Sequence, residues 1–347
     1  MLTQAAILVQ TGRPLVVDDL EVPALRPGQA LVEIHYSGVC HTQLLECQGA
    51  RGHDPYLPHC LGHEGSGIVL EVGAGVSKLR PGARVILSWI KGSGQEVPGA
   101  VYGWTGRQVN AGAITTFSRH AIVSENRLTP IPDSIPLDEA ALFGCALPTG
   151  IGAVLNTAAA RPGDSLVVFG TGGVGLAAIA GAKLTGCVPI IAVDPIFERR
   201  QLAQAMGATH VLDPAHGDVA LAILELCPGG VNIAIEATGK PAVMQQALAI
   251  VRPRGGVAVV VGNARHGEMV SVDPRQLNQG KQLRGTWGGD CVPDRDFPRF
   301  CHLVAAERLS LKPLMSTPFL LHDINDALQA LETGRIGRPL IAMRSAA

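Results

Sequence analysis

The stretch that most limits what this chain can become runs from Ser165 to Thr185. Ser165–Phe169 (SLVVF) is apolar almost throughout, Gly170-Thr171-Gly172-Gly173-Val174-Gly175 follows without a break, and small residues from Leu176 to about Thr185 continue as a helix. A short strand with no polar face has to be covered on both sides. A Gly-x-Gly-x-x-Gly turn between such a strand and a helix lets backbone N–H groups and the positive helix end approach a pyrophosphate. The next run, Val188–Val193, closes on Asp194, near the roughly 20-residue spacing at which an acid grips an adenosine ribose. Glycine-rich turns are common on their own. The strand before, the helix after and the acid beyond make this one a dinucleotide signal.

Further runs at His210–Leu212, Val231–Ala237 and Gly256–Val261 alternate with helical stretches at Val219–Leu226 and Ala242–Val251. Apolar strands alternating with helices predict a parallel sheet wound on both faces, a Rossmann-type domain. A carboxylate at Asp194 accepts from a free 2′-hydroxyl and repels a 2′-phosphate, so NAD is expected rather than NADP. Arg199 is counted with the cofactor residues, although with Arg200 it also reads as an exposed pair opening a helix.

The earlier part of the chain has another texture. Runs at Ala5–Val9, Gln29–Ser37, Gly67–Val72 and Arg84–Ser88 are separated by Arg26-Pro27-Gly28, Gly73-Ala74-Gly75 and Arg80-Pro81-Gly82-Ala83, which predicts a β-rich, barrel-like domain. Residues 89–116 show little periodicity and read as a long irregular surface lobe. Cys40, His63 and Cys145 stand outside the strand-like runs. Two thiolates and an imidazole suit zinc, and three protein ligands leave a fourth position open, as a catalytic site requires. Any one of the eight cysteines taken alone reads as a small buried hydrophobe, and their scatter offers no disulfide framework. Cys47, His53, His59 and Cys60 lack tight paired spacing and predict a pocket rim rather than a second metal site.

At 347 residues and 47% hydrophobic, the chain has enough material for two domains. Lys+Arg number 28 against Asp+Glu 29 with no charge block, which argues against nucleic acid and against a charged membrane surface as partners. No apolar run approaches the roughly 20 residues of a bilayer span, and the first residues lack a leader pattern, so a cytoplasmic location is expected.

Together, Gly38-Val39-Cys40-His41-Thr42, Gly62-His63-Glu64-Gly65, Gly144-Cys145-Ala146-Leu147-Pro148-Thr149-Gly150, the 170–175 loop and Gly285-Thr286-Trp287-Gly288-Gly289 resemble the zinc-dependent medium-chain alcohol dehydrogenases, in that family's order over nearly the whole chain. The resemblance implies an α/β protein: a β-rich GroES-like catalytic domain at 1–147, rejoined by 290–347, plus a doubly wound parallel-sheet NAD domain at 148–289. It implies Cys40, His63 and Cys145 as the ligands of one catalytic zinc per subunit, Glu64 as the carboxylate behind the metal, and Thr42 as the hydroxyl that takes the alcohol proton. His41 and Arg338 would contact the pyrophosphate, Thr149 and Val174 would pack the nicotinamide, and Trp89 would wall the substrate pocket; Trp89 and Val174 also read as core. Gly170, Gly172, Gly173 and Gly175 would cradle the phosphates.

The implied activity is reversible, NAD-linked oxidation of a small alcohol to an aldehyde or ketone. A zinc-free reductase of the same superfamily and a non-catalytic NAD-binding protein are the alternatives. A homodimer or homotetramer is implied, with a strand at Gly267–Val272 pairing the Rossmann sheets of two copies. Three departures from the family pattern stand out. Residues 89–116 contain no cysteine, so the structural zinc of larger members is not expected. Gln43 replaces the usual aspartate beside the ligating histidine, and Leu45 replaces a relay histidine found in many members.

Overall fold

The computed structural model describes residues 1–334 and 336–344. Of the C-terminal segment expected to rejoin the first domain, Arg335 and residues 345–347 lie outside the described residues. The strands are β1 (Leu2–Leu8), β2 (Val16–Glu21), β3 (Gln29–Gly38), β4 (His59–Cys60), β5 (Glu64–Val72), β6 (Arg84–Ser88), β7 (Val101–Trp104), β8 (Arg107–Asn110), β9 (His120–Ser124) and β10 (Leu128–Pro130), then β11 (Leu166–Phe169), β12 (Ile190–Val193), β13 (His210–Leu212), β14 (Ile233–Glu236), β15 (Val257–Val260), β16 (Gln282–Gly285), β17 (Phe319–Leu320) and β18 (Leu340–Ala342).

β1, β2, β7, β8 and β4 close a barrel. Beside it, β10, β6, β5, β3, β18 and β17 form a sheet, with β9 also paired to β3. The alternating apolar residues of these strands meet in one core, where Val32, Ile34, Val69, Val85, Leu87 and Phe117 are buried together. β18 runs antiparallel to β3 with Leu340 opposite Gly38, and Val39 N–H donates to the Pro339 carbonyl at 2.9 Å. That pairing carries Arg338, which immediately precedes Pro339, to the Cys40 loop.

Residues 89–116 are not irregular throughout. β7 and β8 form an antiparallel hairpin turned by Thr105 and Gly106, both at positive φ (45° and 80°), the requirement of a tight two-residue turn whose twist matches the strands. Tyr102 and Val109 point into the barrel. The glycines around them hid this alternation in the sequence.

The second sheet is wholly parallel, ordered β13-β12-β11-β14-β15-β16. The predicted runs at 165–261 fall on β11 to β15 with trimmed ends. Strand order reverses between β11 and β14, and a crevice opens there at the carboxyl ends, where ligands bind in sheets of this type. The expected strand at Gly267–Val272 does not form. His266 and Gly267 make a turn, with Gly267 at φ 84°, and the edge place beside β15 belongs to β16. Among the described residues no single helix is long and apolar enough to cross a membrane.

Candidate metal centre and cofactor cleft

Cys40 immediately precedes the helix His41–Cys47, His63 immediately precedes β5, and Cys145 sits at the kink between the 3-10 turn Leu142–Gly144 and the helix Ala146–Gly152. Three loops more than 100 residues apart in sequence at their extremes thus deliver one ligand atom each, all within 4.8 Å of one another. His63 Nε2 faces Cys145 Sγ at 3.2 Å. Tetrahedral zinc at its usual bond lengths separates such ligands by about 3.5–3.8 Å, so these donors fit zinc with little adjustment. Among the described residues this is the one cluster of metal-type ligands; His59 is instead paired with Asp54 at 2.8 Å, in line with the rim reading of that segment.

The thiols differ in character. Cys40 is held well below the usual thiol range, first by the hydrogen bond from Cys145 and then by the Arg338 charge and His63. Cys145 is pushed up as the partner of that bond and by burial. The core thiols also rise, chiefly through burial: Cys47 and Cys60 to about 12 and Cys187 and Cys301 to about 11. The bond from Cys145 and the Arg338 charge set Cys40 apart from the other thiols.

Behind the cluster Glu64 is fully buried and paired with Arg338. Gly144 makes room for it: a Cβ there would stand 2.6 Å from the Glu64 side chain and 2.4 Å from the Leu87 carbonyl. Arg338 also lies along Gly173, whose Cβ would meet its Cδ at 3.2 Å. The buried Arg338 Nε has no partner among the described residues, a spare donor beside the glycine loop that suits a phosphate oxygen. Helix Ala146–Gly152 packs on the loop's own helix, Gly173–Thr185; at Gly150 a Cβ would come within 2.2 Å of the Val174 carbonyl. Cys145, Thr149 and Val174 are therefore brought together, with Thr149 Oγ1 donating to the Cys145 carbonyl at 2.7 Å.

A cleft of about 390 Å³ runs between His41, Leu44 and Leu45 on one side and Thr238, Lys240, Asn263 and Arg265 on the other. Gly172 opens the helix that faces the crevice as its N-cap. Thr238, Lys240 and Arg265 were not among the predicted site residues; their only sequence signal is position just after β14 and β15. Asp194 follows β12 directly, at the strand end where the sequence puts it, and it has a second task. Its carboxylate is buried and accepts from Thr171 N at 2.8 Å and Ile196 N at 2.9 Å, so it anchors the glycine loop itself. Arg199 Nη1 lies 4.0 Å away, while its Nε donates to the Gly334 carbonyl.

Thr42 is half-buried with Oγ1 3.8 Å from Cys40 Sγ. Trp89 follows β6, its N–H donates to the His63 carbonyl at 3.0 Å, and its ring stands edge-on against Trp287 at 5.0 Å and 86°. Trp287, quoted in the sequence only as part of a motif, is thereby a second aromatic at the centre. On the other side of His63 a cavity of about 390 Å³ is lined by Gln43, Glu46, Tyr56, Ala111 and Ile114.

A GroES-like barrel beside a Rossmann sheet, with a Cys-His-Cys cluster facing the crevice, defines a zinc-type dehydrogenase. Comparison with known proteins agrees. Residues 26–133 match the alcohol dehydrogenase GroES-like domain and residues 173–306 the zinc-binding dehydrogenase domain. The chain is 34% identical to geraniol dehydrogenase of Castellaniella defragrans, over 97% of each chain. It is 32% identical to an S-(hydroxymethyl)glutathione dehydrogenase of Synechocystis, over 98% of this chain and all of that one. The structure of benzyl alcohol dehydrogenase from Acinetobacter calcoaceticus superposes with a TM-score of 0.91 at 29% identity, covering 99% of this chain and 100% of that one. The chain belongs to the zinc-dependent medium-chain alcohol dehydrogenase family.

Proposed function

We propose that this chain is an NAD-linked alcohol dehydrogenase that carries one catalytic zinc per subunit and interconverts an alcohol with its aldehyde or ketone. The observation that carries the reading is the convergence of Cys40, His63 and Cys145 within 4.8 Å beside a crevice bordered by the glycine loop and Arg338. Cys40, His63 and Cys145 would hold the metal, which when bound supplies a Lewis acid for the substrate oxygen. Thr42 stands where a hydroxyl can take the alcohol proton. The Gly170–Gly175 loop, His41 and the spare Arg338 N–H serve the pyrophosphate, and Asp194 keeps that loop in place while favouring NAD. Trp89 and Trp287 give the pocket an aromatic wall. With relatives named for geraniol, benzyl alcohol and hydroxymethylglutathione, primary alcohols carrying an allylic, aromatic or thioether-linked group form the first substrate class to try.

The division into 1–147 with 290–347 and 148–289 is part of the same reading, supported by β17 and β18 joining the sheet of β3 and β5 while β11 to β16 form a sheet of their own. A homodimer or homotetramer is part of the same reading, supported by exposed Leu283 on the edge strand β16 and by exposed Leu277 and Trp287 beside it in sequence. The test is a panel of alcohols and aldehydes followed by NADH absorbance, run on zinc-loaded and zinc-stripped protein. No turnover with any member in either direction, or equal turnover without zinc, would sink the reading.

A further inference from the structure

His63 presents Nε2 to the metal cluster and Nδ1 to the side-chain amide of Gln43. The other end of that amide is already committed, since Gln43 Oε1 accepts from Cys40 N–H at 2.8 Å. Gln43 is buried at 1% exposure, and its backbone N–H is tied to the Cys40 carbonyl at 3.0 Å, which keeps the residue against the Cys40 loop. A neutral imidazole that ligates through Nε2 carries its proton on Nδ1. Both neighbours of the amide are then donors, one at each end, and an amide offers an acceptor at only one end. Turning the amide over merely moves the conflict: Oε1 would serve His63 and the NH₂ group would face Cys40 N–H. A carboxylate at this position would accept from both.

We infer that Gln43 makes His63 the weak ligand of this centre, so that the chain holds its metal more loosely, and exchanges it more readily, than the same site with a carboxylate at position 43. The inference rests on the metal reading above. It assigns Gln43 as a positioning residue that opposes ligation, where a group accepting from the outer nitrogen of a ligating histidine supports it by about 10–100-fold in affinity.

The test measures zinc affinity, not turnover, by competition with a chromogenic chelator on metal-stripped wild type, Gln43→Glu and Gln43→Leu, each first shown folded by thermal unfolding. Glu is isosteric and accepts at both ends, and zinc should bind at least about tenfold tighter. Leu removes the opposing donor and the acceptor together without adding charge, and affinity should stay within about threefold of wild type. A loss of tenfold or more in Gln43→Leu would show that Gln43 supports His63 and would overturn the inference, as would a Gln43→Glu protein that binds no tighter. Should Gln43→Glu not fold, Gln43→Asp carries the same expected gain. A wild-type chain with no measurable zinc affinity defeats the proposed function as well, whereas measurable affinity with the wrong variant pattern defeats this inference alone.

Discussion

The guanidinium of Arg338 lies against the carboxylate of Glu64, a partner 274 residues earlier in sequence, with only 4% and 0% of the two side chains exposed. Glu64 opens β5 and Arg338 lies just before β18, and both strands pair with β3, so the segment leading into β18 supplies the charge that pairs with the acid beside His63. The Arg338 charge also helps lower the Cys40 thiol, and the side chain lies along the glycine loop. One side chain thereby links the C-terminal strand, the cluster and the cofactor crevice.

Removing one partner of a buried pair leaves the other charge without compensation, a cost of about 3–5 kcal/mol. Arg338→Ala is therefore expected to lower the unfolding free energy by about that much in urea titrations and to raise KM for the cofactor. Glu64→Gln should cost less, because the amide still accepts from Arg338. A loss below about 1 kcal/mol in Arg338→Ala would mean that Glu64 finds water or another donor, and the linking role would be withdrawn.

The thiols allow a chemical test. Alkylation proceeds through the thiolate, and Cys40 is the thiol lowered while Cys47, Cys60 and Cys291 rise to about 12. Iodoacetamide on chelator-stripped protein at pH 7 should label Cys40 ahead of the other seven cysteines, and zinc should protect it. Cys145→Ala should abolish both zinc retention and turnover while NADH still binds, because the glycine loop does not use that thiol. Peptide mapping that finds uniform labelling, or two zincs per chain in elemental analysis of wild type, would contradict the single-centre reading.

Much of this was legible in the residues. Ser165–Phe169 and its sister runs could be read as parallel strands because buried strands carry no polar face, and Cys40, His63 and Cys145 could be read as a set because thiolate and imidazole chemistry limits what they do together. The hairpin Val101–Asn110 was not, since Gly103 and Gly106 break the alternation of Tyr102 and Val109. Position 43 was visible as a departure, but the sense of its hydrogen bonds depends on two loops that meet only in the fold. Asp194 was located correctly at a strand end, yet its bond to Thr171 N–H belongs to the turn and has no sequence period to announce it.

That bond changes what Asp194 variants should do. With the carboxylate intact, NAD should be preferred over NADP by at least about tenfold in kcat/KM, or about 1.4 kcal/mol. Asp194→Gly removes the repulsion of a 2′-phosphate and also the anchor of the loop at Thr171 N, along with the local bond to Ile196 N that opens the next helix. The gap between cofactors should narrow mainly because efficiency with NAD falls. Equal efficiency of wild type with both cofactors would rule out the discriminating role.

Leu45 raises the question of how the alcohol proton leaves. It is buried at 5% exposure and lines the cleft together with His41 and Gln48, so a base placed there would stand in the crevice, three residues past Thr42. A positioned base contributes about 10²–10⁴-fold to a proton transfer, and leucine offers none. Alcohol oxidation by this chain should therefore climb steeply with pH, and added buffer bases should raise the rate near pH 7. Leu45→His should lift that rate more at pH 7 than at pH 9, because hydroxide already substitutes for the missing base at the higher pH. Glu46 is the built-in competitor: it lines the cavity beside Gln43 and His63, and burial raises its carboxyl above the usual range, offset in part by Arg51 at 3.0 Å. If Glu46 or water in that cavity carries the proton instead, Glu46→Gln will flatten the rate near pH 7 and Leu45→His will change nothing. Rates measured from pH 6 to 10 with ordinary and deuterated alcohol, the latter showing whether hydride transfer limits turnover, separate the two routes; superimposable profiles for wild type and Leu45→His would retire the Leu45 argument.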